Sequence, residues 1–437
     1  MERQNGLTLF WFRRDLRLND NTGLHLALKS SNRVLPLFIF DTEILDKLTD
    51  KADRRISFIY TALEMLQTEL VAAGSSLLVM HGKPVEIFKL LTDKYSIEAV
   101  YTNHDYEPYA FERDSSVSGL LKTKQIPFYS YKDQVIFEKQ EILKSDGTPY
   151  TVFTPYSKLW KQKVGFQGIT FEASEKLKSN LFRTAPIALP TFESLGFIRS
   201  ITAFAKPKID EAVIRSYHLT RNLPYLNGTS NMGTHLRFGT VSIRMLVSKA
   251  LELNEQWLNE LIWREFFMMI LSNFPYVVDR SFKSKYDLIA WRNDETEFLK
   301  WCNGETGYPI VDAGMRELNE TGLMHNRVRM VVASFLTKDL LIDWRWGEKY
   351  FAEKLLDYEL SSNNGNWQWA AGTGCDAAPY FRIFNPTEQA ARYDPDSLYI
   401  KKWVKEFGTP DYAAPMVDHK FARLRALDAF KKALNHG

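Results

Sequence analysis

The sequence predicts two structural halves. An α/β domain with a doubly wound parallel sheet covers residues 1–130, and a larger all-helical domain covers 201–437. A connector over 131–200 joins them. Three observations carry this. Short apolar runs alternate with amphipathic helical stretches through the first part of the chain, which is the βαβ pattern. From residue 201 onward the apolar period is helical almost throughout, with no competing strand alternation. At 437 residues the chain can bury two or three separate cores.

The elements follow in order. Leu7–Phe12 reads as a buried strand, and Arg33–Phe40 as a second. Leu77–Met80 and Ala99–Thr102 are a third and a fourth. A helix is expected over Asp53–Ala73, with Ile56, Ile59, Tyr60, Leu63, Leu66 and Leu70 on one stripe and Gly74 as its stop. Pro84–Lys94 is another, with proline at a helix start. Parallel strands joined this way need right-handed crossovers, with helices on both faces. Glycines and prolines punctuate 131–200, leaving short elements such as Tyr156–Lys163. Helical stripes then mark Val241–Leu253, Glu255–Phe274, Asp312–Thr321, Arg327–Leu341 and Glu348–Asp357. Asp418–Leu434 reads as a basic amphipathic helix with a solvated face.

Composition excludes several classes. The net charge is +3 and a quarter of the residues are charged, ordinary for a globular protein. Any nucleic-acid surface must be a local patch made by folding. Cys302 and Cys375 cannot build a disulfide framework. No apolar run has the ~20 residues of a membrane span, and the start lacks a signal-like apolar region. The expected setting is a reducing cytoplasm. One excess stands out: all but Trp11 and Trp160 of the 11 tryptophans lie between Trp257 and Trp403. A large helical core is the plain explanation.

Glycine-x-glycine-x-x-glycine is absent after the first strand, where Phe12-Arg13-Arg14-Asp15-Leu16-Arg17 stands. A dinucleotide in the usual phosphate turn is therefore not expected there. Composition favours a solvated loop for these arginines over a ligand crevice. In the helical half, Gly228–Thr234 offers hydroxyls and backbone N–H groups that could hold phosphates, although for this motif in isolation an ordinary capped turn is the stronger reading. Glu260, Trp263 and Arg264 share a helical face. Met324–Met330 carries two arginines and an asparagine. Asn363–Trp369 reads as a polar loop between two tryptophans, and Arg327 pairs naturally with Asp357. His325 has no partner at ligand spacing, so no metal is expected. No pattern supports a covalent nucleophile.

Together these stretches resemble the photolyase/cryptochrome family over the whole chain. The strongest matches are Phe10–Arg17, Thr306–Ala313, Met324–Met330, Asp339–Arg345 and Asn363–Pro386. Within the family the resemblance is greatest to class I cyclobutane pyrimidine dimer photolyases. It implies an FAD held in the helical domain, active when reduced. Tyr217, Thr229, Ser230, Asn231, Met232 and Gly233 would hold its phosphates and ribityl chain. Trp257, Asp357, Tyr358 and Glu359 would line the flavin, with Asn363 facing N5. Gly233 stands where serine is frequent, and Glu359 where aspartate is common. Glu260, Trp263, Asn326, Arg327, Met330 and Trp369 would form the lesion pocket. Arg221, Arg264, Arg382 and Gln389 would meet phosphates. Trp367, Trp344 and Trp291 would relay electrons to the flavin, leaving Trp301 and Trp403 as core and Trp346 as either.

The implied activity is light-driven repair of cyclobutane pyrimidine dimers in duplex DNA by a monomer. A (6-4) photolyase usually carries paired histidines in the pocket, whereas here His325 is followed by Asn326 and Met330 fits the dimer-specific pattern better. A cryptochrome sensor commonly has a long C-terminal extension, which argues against that reading. The spellings Leu356–Glu359 and Gly365–Trp367 lean toward a DASH-type member, whereas Trp369 and Met330 do not. A second, antenna chromophore is left open. Tyr106–Arg113 departs from the folate-binding spelling, leaving a deazaflavin, another flavin or none.

Overall fold

Leu7–Phe12 forms strand β1, and all six of its residues are buried. A strand buried on both faces belongs at the centre of a parallel sheet. The computed structural model describes residues 6–200 and 206–435, and there β1 lies between β2 (Val34–Asp41) and β4 (Ile97–Asn103). With β3 (Leu78–Gly82) and β5 (Phe128–Tyr131) the sheet order is β3-β2-β1-β4-β5, every pair parallel. Four strands answer to the four sequence runs. The fifth, Phe128–Tyr131, was not expected, because it is short and only half buried.

The connecting helices include α1 (Thr22–Ser30), α2 (Arg54–Ala72), α3 (Pro84–Lys94) and α4 (Pro108–Thr123). Asp53 caps α2 by accepting the Arg55 N–H. Ile56, Leu63, Leu66 and Leu70 on its stripe are buried. Ile59 and Tyr60 are only half buried.

The arginines after β1 do not form a solvated loop. Arg14 and Arg17 are 9% and 5% exposed. Arg14 pairs with Asp105 at 3.1 Å and Glu107 at 3.0 Å, and Arg17 with Asp133 at 2.6 Å. Arg13 pairs with Asp114. Arg244 joins through Asp20 at 2.9 Å and Asp133 at 2.8 Å. A buried guanidinium is tolerable only with partners of this kind. The neighbouring cations hold the Asp133 carboxyl below the usual range, although its burial acts the other way.

The described residues divide into two compact units. One comprises Met1–Glu138, Lys163–Lys208 and Met232–Lys249; the other comprises Lys139–Gln162, Ile209–Asn231 and Ala250–Gly437. The segment read as a connector thus contributes to both. Its clearest element is the helix Phe153–Gln167, longer than the Tyr156–Lys163 seen in sequence.

The second unit is helical. It contains α5 (Glu255–Asn273), α6 (Pro309–Thr321), α7 (Asn326–Ser334), α8 (Trp344–Lys354), α9 (Leu360–Ala371) and α10 (His419–Asn435). Asn254 caps α5 by accepting the Gln256 and Trp257 N–H groups. A π-helical turn, Phe335–Asp339, follows α7. There Lys338 is 1% exposed, lies over the Phe430 ring at 3.5 Å, and donates to the Ala371 carbonyl at 2.6 Å. That carbonyl closes α9, where helix ends lack internal partners. Burial pushes the Lys338 ammonium well below its usual pKa. On α10, Ala422, Ala426, Phe430 and Ala433 are buried, while Phe421 and Leu424 are exposed.

A second expectation is overturned in the helical unit. Asn363–Trp369 is not a loop but the middle of α9, buried at Asn363, Asn364, Trp367 and Gln368. Its polar residues misled the reading because they face partners inside the protein. Asn364 and Gln368 both donate to the Val277 carbonyl, each at 2.9 Å. At Gly365 an added Cβ would overlap the Phe267 ring of α5, and at Gly347 of α8 it would overlap Trp367.

Gly365→Ala should therefore destabilise the second unit by about 1–3 kcal/mol, despite a helix-propensity gain of up to ~1 kcal/mol. Urea unfolding measures it, and an equal or higher midpoint would refute the packing argument.

Candidate functional site

α9 carries the site because its inward face is polar and aromatic at once. Asn363 donates through Nδ2 to the Glu348 carbonyl at 3.0 Å and to Glu348 Oε1 at 2.8 Å. Its Oδ1 remains as an acceptor. Burial raises the Glu348 carboxyl, and the Asn363 hydrogen bond partly offsets this. Four residues later Trp367 is 2% exposed.

A cavity of about 90 Å³ opens beside this face. Asp357, Tyr358, Glu359, Asn363 and Trp367 line it, and so do Asn326, Met330 and Trp369. Residues expected around a cofactor and residues expected around a substrate thus meet at one cavity. Amide, carboxylate and hydroxyl groups (Ser362 adds the last) alternate with the indole and phenyl walls of Trp367, Trp369 and Phe351. That donor set suits a flat heterocycle with hydrogen-bonding edges. It fits a flavin ring.

One lining residue, Arg329, and one partner of a lining residue, Glu348, were missed in sequence. Arg329, not Arg327, pairs with Asp357, at 2.9 Å. Arg327 instead donates to Asn222 Oδ1 at 2.8 Å and lies over Tyr393 at 4.4 Å. On a helix, residues two apart point to different sides. The spacing of Met324–Met330 could have raised Arg329 as a candidate. Glu348 gave no signal, because its partner Asn363 lies on another helix.

A second cluster forms around α5. Trp257 is 2% exposed. Glu260 is ion-paired with Arg221 and accepts from Gln256 at 2.9 Å. Arg221 also lies 5.7 Å over Tyr217. Burial, then the Glu260 charge, raises the Tyr217 phenol. Trp263 is stacked on Phe153 at 3.7 Å and 4°, so one indole face is already covered. Arg264 reaches Glu359 at 3.2 Å with 11% of its side chain exposed. Of the four expected phosphate contacts, Arg382 is exposed, whereas Arg221 and Arg264 already hold carboxylates. Gln389 keeps a buried, unpartnered Oε1.

Thr229 and Asn231 form a tight loop: Thr229 Oγ1 donates to Asn231 Oδ1 at 3.3 Å, and Asn231 has φ +54°. Ser230 is half buried. Gly233 begins the short helix Gly233–Phe238 directly after Met232. The tryptophans expected to form a relay differ in exposure. Trp367 and Trp344 are buried and Trp291 is half buried.

A parallel-sheet unit and a helical unit bearing an aromatic, amide-lined cavity define the class, a protein whose helical part can hold a planar cofactor. Comparison with known proteins makes this specific. Residues 8–176 match the family described as DNA photolyase, and 257–410 match the FAD binding domain of DNA photolyase. A deoxyribodipyrimidine photo-lyase of Synechococcus sp. is 38% identical, covering 94% of this chain and 93% of its own. Among solved structures, a bacterial class III photolyase from Agrobacterium tumefaciens superposes with a TM-score of 0.85 at 30% identity, covering 99% and 98% of the two chains. An archaeal photolyase from Sulfolobus tokodaii with two FAD molecules gives 0.82 at 33%, covering 97% and 99%. A Synechocystis cryptochrome gives 0.82 at 26%, covering 98% and 100%. The chain belongs to the photolyase/cryptochrome family, and its helical half is that family's FAD-binding domain.

His325 caps α7, its Nδ1 accepting the Arg327 N–H at 3.2 Å. Burial, then the charges of Arg329, Arg327 and Arg221, lowers its pKa to about 4. The unfolded chain binds this proton near ~6.5. Between those values the unfolded state holds more protons, so the stability from neutral His325 is complete above ~6.5 and is lost as pH falls toward 4. His325→Asn keeps a capping acceptor. Its unfolding free energy should fall less steeply over that window than the wild type's; identical slopes in urea titrations would remove His325 from the account.

Proposed function

We propose that this protein repairs cyclobutane pyrimidine dimers in duplex DNA in a light-driven reaction, as a deoxyribodipyrimidine photo-lyase. The observation that carries the reading is the shared cavity: Asn326, Met330 and Trp369 line it together with Asn363 and Trp367. The relatives named deoxyribodipyrimidine photo-lyase support it.

When bound and reduced, FAD supplies the light-excited electron that splits the dimer's ring and is then returned. The chain's own residues do the rest. Asp357, Tyr358 and Glu359 hold the ring edges, and the free Oδ1 of Asn363 accepts a hydrogen bond that favours the reduced form. Tyr217, Trp257 and Thr229–Gly233 hold the remainder of the cofactor. The lesion must leave the duplex to reach such a cavity, at a cost of a few kcal/mol that is lowest at a damaged step. Trp369 and the uncovered face of Trp263 receive the fused pyrimidines. Glu260 hydrogen-bonds their polar edges, and Arg327 completes the pocket in this reading. Arg221, Arg264, Arg382 and Gln389 meet the flanking phosphates, which makes binding salt-dependent. Because Arg221 and Arg264 hold Glu260 and Glu359 before DNA arrives, phosphates must share or take over those guanidiniums.

A second, antenna chromophore belongs to this reading, and the two FAD molecules of the Sulfolobus tokodaii protein support it. No helix among the described residues is long and apolar enough to cross a membrane. We read the enzyme as a cytoplasmic monomer.

The test is to illuminate reduced protein with blue light in the presence of duplex oligonucleotides carrying a cyclobutane dimer or a (6-4) photoproduct. Reversal of the cyclobutane dimer alone is expected. No reversal of either would favour a sensor, in line with the Synechocystis cryptochrome likeness. Glu260→Ala should lower repair per photon by about fivefold, the worth of one hydrogen bond of ~1 kcal/mol. An unchanged yield would take Glu260 out of the pocket. Trp291→Phe should slow photoreduction of the oxidised protein while leaving dimer binding, read by gel shift, unaltered.

A further inference from the structure

Open parallel sheets hold ligands outside the carboxyl ends of their strands. In the α/β unit a cavity of about 100 Å³ lies at the opposite end. Leu7 opens β1, Leu78 opens β3, and Arg33 and Ser96 directly precede β2 and β4; all four line it. Phe182 and Thr184 add a further wall. Leu181 bridges to Val34 of β2, and the Phe182 N–H donates to the Val34 carbonyl at 2.8 Å. That pairing sets the Phe182 ring beside Arg33, whose guanidinium lies over it at 5.1 Å. Tyr95, directly after α3, supplies a second ring, with the Lys94 ammonium over it at 5.2 Å.

The guanidinium distinguishes this cavity from a packing gap. Arg33 Nε is buried and has no hydrogen-bond partner. Among the described residues Arg33 makes no ion pair, unlike Arg14 and Arg17 beyond the other end of β1. The helices α1, α2 and α3 end toward this rim, and helix ends leave carbonyls without internal partners, yet Arg33 Nε reaches none of them. Those ends also make the rim partly negative, so an anion there needs a fixed cation. None of the described residues lining the cavity is acidic. A ligand acceptor would relieve the cost of leaving a buried charged donor unmatched.

The walls select the ligand. The edge of a guanidinium that carries Nε and one terminal nitrogen matches the two oxygens of a carboxylate. The apolar and aromatic lining disfavours a strongly hydrated dianion such as phosphate and favours a ring. An apolar cavity of ~150 Å³ accepts benzene, so a space of about 100 Å³ that reaches solvent at the exposed Ser96 takes one six-membered ring. We propose that this end of the α/β sheet is a binding site for a small monocyclic aromatic carboxylate, anchored by Arg33 and walled by Phe182 and Tyr95. All of its residues belong to the first unit, so the inference stands apart from the dimer-repair reading.

The test titrates benzoate into the FAD-loaded protein in the dark and follows the heat released. Saturable binding is expected. Arg33→Gln should weaken it by about tenfold, the loss of one charge-assisted pair. Benzamide, which keeps the ring without the charge, should bind the wild type more weakly by a similar factor, and inorganic phosphate should not displace benzoate. No saturable binding would overturn the inference, as would equal affinity in Arg33→Gln or displacement by phosphate at matching concentration. Thr184→Trp, which fills the cavity from its half-buried wall, should abolish binding. Urea midpoints report folding of both variants. If Arg33→Gln fails to fold, Thr184→Trp and the benzamide comparison decide, and undiminished binding in either refutes the site.

Discussion

The close contact of α9 with its neighbours is the constraint on which the helical unit depends. A ring of α5 rests on Gly365, and Trp367 rests on Gly347 of α8. Both approaches require a missing Cβ, and interiors packed at crystal-like density cannot absorb one without shifting backbone. With the helix held this close, Asn363 falls within reach of Glu348, and Trp367 is pressed among Phe351 and Trp301. The cavity is the space left between those contacts and the turn Asp357–Glu359.

Polar groups in this interior are paired to hold positions. Asn363 spends its amide protons on Glu348 and so keeps its oxygen free. Arg329 fixes Asp357, and Arg264 fixes Glu359. Lys338 answers a carbonyl at the end of α9 from a site almost without solvent. Removing one partner of such a pair leaves a desolvated group unmatched, which costs more than the pair itself contributes. The same logic governs the α/β unit, where Arg14, Arg17 and Arg244 meet Asp105, Asp133 and Asp20.

A net charge of +3 leaves attraction of nucleic acid to a few side chains. Arg221 and Arg264 sit in ion pairs, so their charges are partly neutralised before any phosphate approaches. Such pairs keep guanidiniums ordered while limiting non-specific attraction. The tryptophan excess now has several physical reasons. Some indoles wall the cavity, Trp263 lies under a phenyl ring, and Trp301 joins the buried aromatic contacts to others at the surface.

Period alone determined the α/β sheet's first four strands, the helices α2 and α3, and the helical character of the second half, because burying one face imposes a repeat that survives in the residues. Motif order determined the family, and it collected Asn326, Met330, Asp357 and Asn363 before their meeting at one cavity was visible. Only the tertiary structure decided the rest. Asn363–Trp369 looked like a loop because its amides are polar; they are buried and bonded to residues far along the chain, such as Val277 and Glu348. Arg329 displaced Arg327 as the partner of Asp357 because helical phase, not nearness in sequence, sets which side chain faces inward. The edge-on contact of Trp301 with Trp367 joins residues dozens of positions apart, a contact that no local pattern can encode.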